Sequence, residues 1–525
     1  MEHNNPSVHI KDLNFGDEAK NKVILGVEKL AKAVKSTLGA SGKCVIYEDA
    51  MGKPVITKDG VTVAESVVLF DPVENMGATM IKEAAQNTVR EAGDGTTTAT
   101  VLAESLLQEV YKNKDKESIR EIKTGLTTGL NKVNEYLKSV SVEVKGDMLK
   151  DVGTISCNNE KVLGEIIADA YEKVGSGGVV LMEGSGTEET YVEVVNGVQL
   201  TCGLTSPHFI TDKEKNKSEL EKPLVLLCAS EIPNVRKIQK VLEHVIKTNR
   251  SLLVVSKVSS QVMSALMMNN MKGTIKVNII EPPGFGPTRA EAIDDLAMLT
   301  GATIINEDLG DDLDLVSLDH LGEAEKSVTS DKTTVLTLDN NIDQAAYDAR
   351  LLEVAKKIST EKNAFIKKKL EERLATLSGS VAVIKVGANS QIELKEKRDR
   401  IEDAIYATKA AIKEGIVPGG GVALLNASQN ISPTNVGEKI LLQAIRSPFY
   451  TILDNAGITL IEGYEDHEGY GIDVITGERA TMVSAGIIDP VLVTKSALKN
   501  AVSVVSTIIS ADCVISNMRT DASNK

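Results

Sequence analysis

The hydrophobic pattern of this chain changes period along its length, and no other feature of the sequence limits the fold so sharply. Over residues 17–38, Val23, Val27, Leu30, Val34 and Leu38 recur at steps of three or four, which puts them on one face of a helix. Helices dominate again from about 75 to 140. From about 190 to 380 short apolar runs alternate with helical stretches: Tyr191–Val195, Leu224–Leu227, Leu252–Val255, Val277–Ile280 and Thr303–Ile305. Continuous apolar strands between helices imply a covered, partly parallel sheet. Helical periodicity returns over 345–376, then over a long helix from Ile392 to about Lys413, and the C-terminal part is helix-rich. The expected fold is a multidomain α and α/β chain, a helical domain interrupted by an α/β insertion. A chain of 525 residues is too long for one core, and roughly three or four domains are expected. Cys44–Tyr47 and Val55–Thr57 read as strands, with Lys58-Asp59-Gly60 turning into a hairpin partner at Val61–Val63.

Composition removes several classes of function. Lys and Arg number 59 against 74 Asp and Glu, a net charge of −15, which disfavours nucleic acid and anionic membrane as partners. Aromatics are 3% of residues and there is no Trp, so stacking platforms for single strands are not expected. Cys44, Cys157, Cys202, Cys228 and Cys513 are scattered, with no Cys-x-x-Cys pair, which points to a reducing compartment and neither zinc nor a disulfide framework. The six histidines are dispersed without metal-ligand spacing. The N-terminus, Met1–Pro6, has no signal-peptide pattern, and no run approaches the ~18 apolar residues of a membrane span. A cytoplasmic protein is the expectation.

The richest local chemistry is Ala92-Gly93-Asp94-Gly95-Thr96-Thr97-Thr98-Ala99-Thr100, followed by apolar residues at helical spacing. Glycines allow a tight turn, and the free N–H groups of a helix start make an anion site. Thr hydroxyls add donors for phosphate, and Asp94 calls for a cation such as Mg²⁺, held by one carboxylate plus phosphate oxygens. The same residues could also form an Asp/Thr-capped helix after an ordinary turn.

Three further features stand out. In the 392–413 helix, Ile401, Ala404, Ile405, Thr408 and Ile412 share a face, and Asp403 lies about 200° round from Ile401. Asp403 is either a solvated acid or an acid aimed at a ligand. Gly419-Gly420-Gly421 permits close approach to a ligand or another segment, or forms a flexible linker, against which its apolar flanks argue. Met263, Met267, Met268 and Met271 fall within nine residues, as on adaptable binding surfaces or in a packed core.

With these motifs in view, the chain resembles the group I chaperonins of the GroEL type over nearly its full length. The matches, in family order, are Thr37–Gly39, Ile56–Val61, Asn75–Ala78, Ala92–Thr100, Val152–Ser156, Pro283–Gly286, Val381–Gly387, Glu402–Ala404, Gly419–Leu424 and Ile488–Pro490. The resemblance implies an equatorial helical domain from both chain ends (1–140 and 415–525), an intermediate domain (141–196 and 380–414) and an apical α/β domain (197–379). It implies an ATP-dependent chaperone that binds non-native polypeptide and folds it inside a homo-oligomeric ring. The ring would be seven-membered, single or double, with a co-chaperonin lid. The implied cofactors are ATP and Mg²⁺, with K⁺ as a candidate second ion.

Carried onto this sequence, the resemblance makes Asp94 the Mg²⁺ ligand and Gly95, Thr96, Thr97 and Thr98 the phosphate cradle. Thr37, Leu38, Gly39, Ala40 and Lys58 would line the other side, Gly420 and Asp489 would bracket the nucleoside, and Asp473, Val474 and Ile475 would meet the base. Asp59 and Asp403 would orient the attacking water. Client polypeptide would contact Leu204, His208, Phe209, Gln239, Leu242, Met263, Met267 and Met268.

The sequence departs from the family at Ala40 (usually Pro), at Asp473–Ile475 (an Asn-Ala-Ala run) and at His208 and Gln239 (an aromatic and an aliphatic). Ser380 stands for a hinge glycine, and Ser516–Lys525 lacks a Gly-Gly-Met tail. These changes describe a divergent member, a paralogue or one carried by a bacterial virus. The alternatives to an ATP-driven folding machine are a holdase that cycles poorly and a metabolic enzyme with a phosphate pocket.

Overall fold

The structure, a computed structural model, describes residues 11–517 except 50, 114–115, 145, 158–159, 176–177, 186, 214–215, 285, 339–343, 361–362, 378–379 and 460–466. Phe285 of the Pro283–Gly286 motif, Met1–Pro6, His3, His9 and the tail from Met518 lie outside the described residues.

In chain order the first part holds β1 (Lys11–Phe15), α1 (Gly16–Lys35), β2 (Val45–Glu48), β3 (Pro54–Thr57), α2 (Gly60–Ser66), α3 (Pro72–Ala92), α4 (Thr96–Lys112), α5 (Ile119–Ser139), α6 (Met148–Ser156) and α7 (Lys161–Val174). The middle holds β4 (Val179–Gly184), β5 (Tyr191–Leu200), β6 (Ser218–Glu221), β7 (Leu224–Leu227), α8 (Gln239–Thr248), β8 (Ser251–Val255), α9 (Ser260–Met271), β9 (Lys276–Ile280), α10 (Pro287–Thr300), β10 (Gly322–Glu323), β11 (Lys326–Thr329), β12 (Thr334–Thr337), α11 (Gln344–Thr360), α12 (Ala364–Leu377) and β13 (Ser380–Val386). The last part holds α13 (Gln391–Glu414), β14 (Ile416–Pro418), α14 (Val422–Asn430), α15 (Val436–Ala444), α16 (Ser447–Ala456), β15 (Tyr470–Ile472), β16 (Arg479–Thr481), β17 (Ile488–Pro490), α17 (Val491–Ile508) and β18 (Cys513–Asn517). The chain divides into two compact units, one of residues up to 168 and from 391 onward, the other of residues 169–390.

The first unit is helical because its apolar residues keep the helical period and its ends are capped. The Asp71 side chain accepts from the Val73 and Glu74 N–H groups at the start of α3, and Ser118 and Glu121 form a reciprocal capping box on α5. The core is built from α1, α3, α4, α5, α15 and α17, with Val27, Leu30, Ile81, Leu102, Leu126, Leu441 and Ala501 among its buried residues. Glycine lets α1 and α3 approach backbone to backbone: a Cβ on Gly77 would lie 2.1 Å from the Val23 carbonyl oxygen. One helix corrects the expectation that no run could span a membrane. Val491–Ile508 is long and apolar enough by length and composition, but 61% of its residues are buried, and it packs on α3 and α4 as a core helix.

The second unit carries two sheets. In the first, ordered β10-β7-β8-β9, the strands β7, β8 and β9 are parallel. Leu226, Leu252, Val254 and Ile279 face one way with α8 and α9, while Val225, Leu227, Leu253 and Ile280 face the other with α10. The sheet is therefore covered on both faces, as continuous apolar strands require. The second sheet is ordered β4-β13-β5-β12-β11-β6. It curls until Lys326 on β11, only 8% exposed, meets Glu183 on the far edge strand β4 at 3.0 Å and Glu219 and Glu221 on β6 at 3.4 and 3.2 Å.

Two local expectations fail. Val61–Val63 is not a strand: β3 pairs with β2, and Gly60–Ser66 is helical. Asp59 decides this, because its carboxylate accepts from the Val61 and Thr62 N–H groups and caps a helix where a turn was expected. Thr303–Ile305 forms only an isolated bridge to Cys228.

Candidate functional site

The turn between α3 and α4 is built by two glycines in the left-handed region, Gly93 (φ 79°) and Gly95 (φ 98°). Gly95 precedes α4, and no side chain caps that helix. The Asp/Thr-capped alternative is therefore not what forms, and the first N–H groups of a 17-residue helix carry no side-chain cap. Asp94 bends back, its carboxylate accepting from the Gly95 N–H. Thr97 and Thr98 are half-buried, whereas Thr96 is buried and offers its carbonyl to Thr100.

The start of α2 stands against this turn. A Cβ on Gly60 would lie 2.2 Å from the Thr97 hydroxyl oxygen, so only glycine allows the contact. That contact brings Asp59 beside the first turn of α4, with Lys58 exposed next to it. At the far end of α2, the Lys82 ammonium on α3 donates to the Glu65 and Val67 carbonyls and ties α2 to α3.

Thr37, Leu38, Gly39 and Ala40 follow α1 in a compact turn closed by Gly42 N–H to Gly39 and Lys43 N–H to Ser36. Asn455 on α16 donates to the Lys35 and Leu38 carbonyls at 2.8 and 2.9 Å. Gly419–Gly421 is a junction where neighbouring backbones press together. A Cβ on Gly419 would lie 2.9 Å from the Ile488 nitrogen, and one on Gly421 2.6 Å from the Phe449 nitrogen. The antiparallel pair β14–β17 sets Asp489 opposite Val417. Val474 packs with Met482, Phe449 and Leu453, while Ile475 is exposed. Asp473 closes its own turn, accepting from the Ile475 N–H at 2.9 Å and the Thr476 hydroxyl at 3.1 Å.

Four carboxylates from distant parts of the chain act on one another here. Burial, then repulsion from Asp94, pushes Asp489 up to about 7 against a stabilising bond from the Gly421 N–H. Burial and then the Asp59 charge raise Asp94, with the Gly95 N–H opposing. Asp403 on α13 keeps solvent-accessible area but is recessed among surrounding protein. Desolvation, then Asp94, Asp59, Glu402 and Asp399, raises it well above the usual carboxylate range. Because Asp403 keeps that exposed area, we read the desolvation as that of a cleft wall, not of a core. Among the described residues, no three His, Cys, Asp or Glu side chains come close enough to hold a metal by themselves. The donor set therefore suits a cation whose remaining ligands arrive with an anion or as water.

A sequence profile of the TCP-1/cpn60 chaperonin family matches residues 30–519. This chain belongs to that family. Its fold is similar to two crystal structures of the chaperonin gp146 from the bacteriophage EL 2 (Pseudomonas aeruginosa), both determined in the presence of ATP-BeFx. Crystal form II gives a TM-score of 0.70 at 20% identity, and covers 97% of this chain and 99% of that one. Crystal form I gives 0.64 at 21%, with the same coverage. The mixed helical and α/β multidomain architecture is thus the chaperonin fold.

In this chaperonin the candidate client-binding residues divide by burial. Met268 is 58% exposed on α9, and Met271 beyond it 68%. His208 and Gln239 are exposed, and Leu204, Met263 and Met267 are half-buried against the core of the parallel sheet. Phe209 and Leu242 depart from the expectation that client polypeptide would contact them: Phe209 is entirely buried and Leu242 is 9% exposed. The turn Ser206–Phe209, started by the Ser206 hydroxyl accepting from the His208 N–H, drives Phe209 inward beneath α9. The sequence reading missed Lys82, which reaches back fifteen and seventeen residues, and Asn455, whose partners are more than four hundred residues away.

Proposed function

We propose that this chain is an ATP-dependent molecular chaperone of the group I, GroEL-like type. It would hydrolyse ATP with Mg²⁺ and couple that hydrolysis to binding and folding of non-native polypeptides. One observation carries the reading: in a member of the chaperonin family, Asp59, Asp94, Asp403 and Asp489 converge at the uncapped start of α4. The N–H groups of Thr96 and Thr97 and the Thr97 and Thr98 hydroxyls would bind phosphate, with Gly95 giving the backbone room to approach, and Asp94, oriented by the Gly95 N–H, would hold the cation. The turn Thr37–Ala40 and Lys58 would flank the phosphates, and Gly420, Asp489 and Asp473–Ile475 the nucleoside. Asp59 and Asp403 would orient the attacking water. Phosphoryl transfer needs mostly positioning and charge neutralisation, which these parts supply. The ATP-BeFx used with the phage chaperonin is consistent with such a site.

Exposed Ile46, Met51, Ile56, Val68 and Phe70 in the first unit suit burial between copies. They support association between copies; the assembly we propose is a homo-oligomeric ring, seven-membered and single or double, closed by a co-chaperonin lid. K⁺ as a second ion and a cytoplasmic location complete the proposal. A holdase that cycles poorly is favoured only by Asp473, whose carboxylate is engaged in its own turn.

The test is Mg²⁺-dependent ATP hydrolysis by the full chain, alongside negative-stain images with and without ATP. Asp403→Ala should lower turnover on the order of 10²–10⁴-fold while Mg-ATP still binds. Asp94→Ala should lose both binding and hydrolysis. Wild-type turnover in both variants would refute the site.

A further inference from the structure

The helix that carries Asp403 meets the turn that carries Asp94 at a point where the two chains are almost in backbone contact. A Cβ built on Gly93 would lie 2.2 Å from the Tyr406 Cβ, 2.4 Å from its Cγ and 2.9 Å from its Cδ1. The stem of Tyr406 therefore rests on the bare Cα of Gly93, in a space no other residue would leave open. Tyr406 follows Asp403 by three residues, so the two share a face of α13. One turn further, Ala410 is buried and packs with Ala92 and Val493. A strip of α13 running Tyr406–Ala410 is thus seated on Ala92–Gly93 and the start of α17, and Asp403 stands at its end.

Something must hold α13 there, because the carboxylates repel. Asp403 is opposed by Asp94 and Asp59 across the turn and by Glu402 and Asp399 on its own helix. The helix packs along its length on α6, α17 and β17. Where it meets the turn that carries Asp94, the contacts are Tyr406 on Gly93 and Ala410 on Ala92. The glycine serves a second purpose here: beyond closing α3 in the left-handed region, it lets the tyrosine approach.

We propose that Tyr406 is a positioning residue for hydrolysis. Docked on Gly93, it fixes how far α13 descends on the turn, and so where the Asp403 carboxylate stands relative to a phosphate bound at α4. The inference rests on the reading of Asp403 given above. It assigns the contact to the ring and its stem and not to the phenol hydroxyl.

The experiment compares Tyr406→Ala, Tyr406→Leu and Tyr406→Phe in the full-length protein. It measures kcat, Mg-ATP affinity and hydrogen exchange of the peptides covering 91–100 and 399–414. Tyr406→Ala should lower kcat on the order of 10–100-fold, as a misplaced group does, with Mg-ATP affinity within about twofold of wild type. Tyr406→Leu should be intermediate, and Tyr406→Phe should match wild type. Tyr406→Ala combined with Asp403→Ala should be no slower than Asp403→Ala alone, because one acts through the other. If Tyr406→Ala does not fold, Tyr406→Leu carries the same test. Wild-type kcat in the docking variants, additive losses in the double variant, or a Phe variant as slow as Ala would each overturn the proposal. If Asp403→Ala itself turns over normally, the reading of Asp403 fails, and hydrogen exchange still judges the dock. Faster exchange at 91–100 in Tyr406→Ala would support the dock, and unchanged exchange would refute it.

Discussion

Glu438 offers the sharpest stability measurement in the helical unit. Its side chain is 2% exposed and meets the Lys132 ammonium at 2.8 Å. It also accepts from the Thr434 N–H at 2.7 Å, the Thr434 hydroxyl at 3.0 Å and the Thr128 hydroxyl at 2.9 Å. Burial pushes its carboxyl upward, but these donors outweigh it and hold the group at about 2, against an ordinary 4.5. By linkage that difference corresponds to about 3 kcal/mol favouring the folded state at neutral pH. The sign is that of a depressed acid: the contribution is complete above the unfolded value and is lost as pH falls toward the folded one. About a quarter should be gone by pH 4 and more than half by pH 3. Glu438→Gln keeps the shape and removes the charge. Hydrogen exchange of the peptides spanning α5 and α15 reads local opening without requiring reversible unfolding of the whole protein. At pH 7 the variant should exchange on the order of a hundredfold faster, and the gap between the proteins should narrow between pH 5 and pH 4. Equal exchange at pH 7, or a gap that does not change with pH, would refute the argument.

Three further expectations are direct. Asn455→Ala frees the Lys35 and Leu38 carbonyls from their shared donor, and should raise KM for ATP more than it lowers kcat; steady-state kinetics with unchanged KM would count against it. Met268→Ser changes an exposed side chain and should weaken suppression of client aggregation without lowering Tm. Phe209→Ser removes a fully buried ring and should destabilise the second unit by about 3–5 kcal/mol, so equal Tm shifts in these two variants would contradict the burial pattern. Asp94, Asp403 and Asp489 have the opposite sign to Glu438: their folded values are raised, so the folded state holds extra protons and loses stability as pH rises above the ordinary carboxylate value of 3.8, for Asp489 until about 7, where the loss is complete. The protection of 91–100, with the intrinsic pH dependence of exchange divided out, should therefore fall between about pH 5 and pH 7 in metal-free protein and recover with Mg-ATP; protection that does not change with pH would sink that reading.

What could be read from the sequence was what depends on neighbours in sequence. The period of Val23, Val27, Leu30 and Val34 gave α1, and the apolar runs at 224–227, 252–255 and 277–280 gave the parallel sheet, because burial on one face or two imprints directly on the residue order. Ala92–Thr100 announced a turn into a helix for the same reason. Lys58-Asp59-Gly60 misled because an Asp-Gly pair suits a hairpin turn as well as a helix start. The difference lay in whether Asp59 found the Val61 and Thr62 N–H groups. Phe209 was misplaced because its burial comes from α9, more than fifty residues away. Tyr406 and Asn455 were invisible for that reason in stronger form: each matters through a partner hundreds of residues distant.

The four carboxylates make the same point from the side of energy. Taken one at a time, Asp59 reads as a turn acid, Asp94 as an acid that calls for a cation, and Asp403 as either a solvated acid or one aimed at a ligand, while Asp489 enters only through the resemblance. Once they are gathered, Asp59 raises Asp94, Asp94 raises Asp489, and both Asp94 and Asp59 raise Asp403, with little compensation, since the charges that act most on these three are other carboxylates. A fold selected for stability alone would separate them or pair them with Lys or Arg, as it does with Glu438 and Lys132. Here the helices are held in place by contacts that only small residues permit, Gly60 on Thr97 and Gly93 on Tyr406. The local strain is thus opposed by packing and would be relieved by a cation with its anionic partner. That combination, repulsion maintained by close glycine contacts around an uncapped helix start, separates this cluster from every other group of charges described in the molecule. It is the physical reason to look for function at this site and not at the better-satisfied Lys326 network.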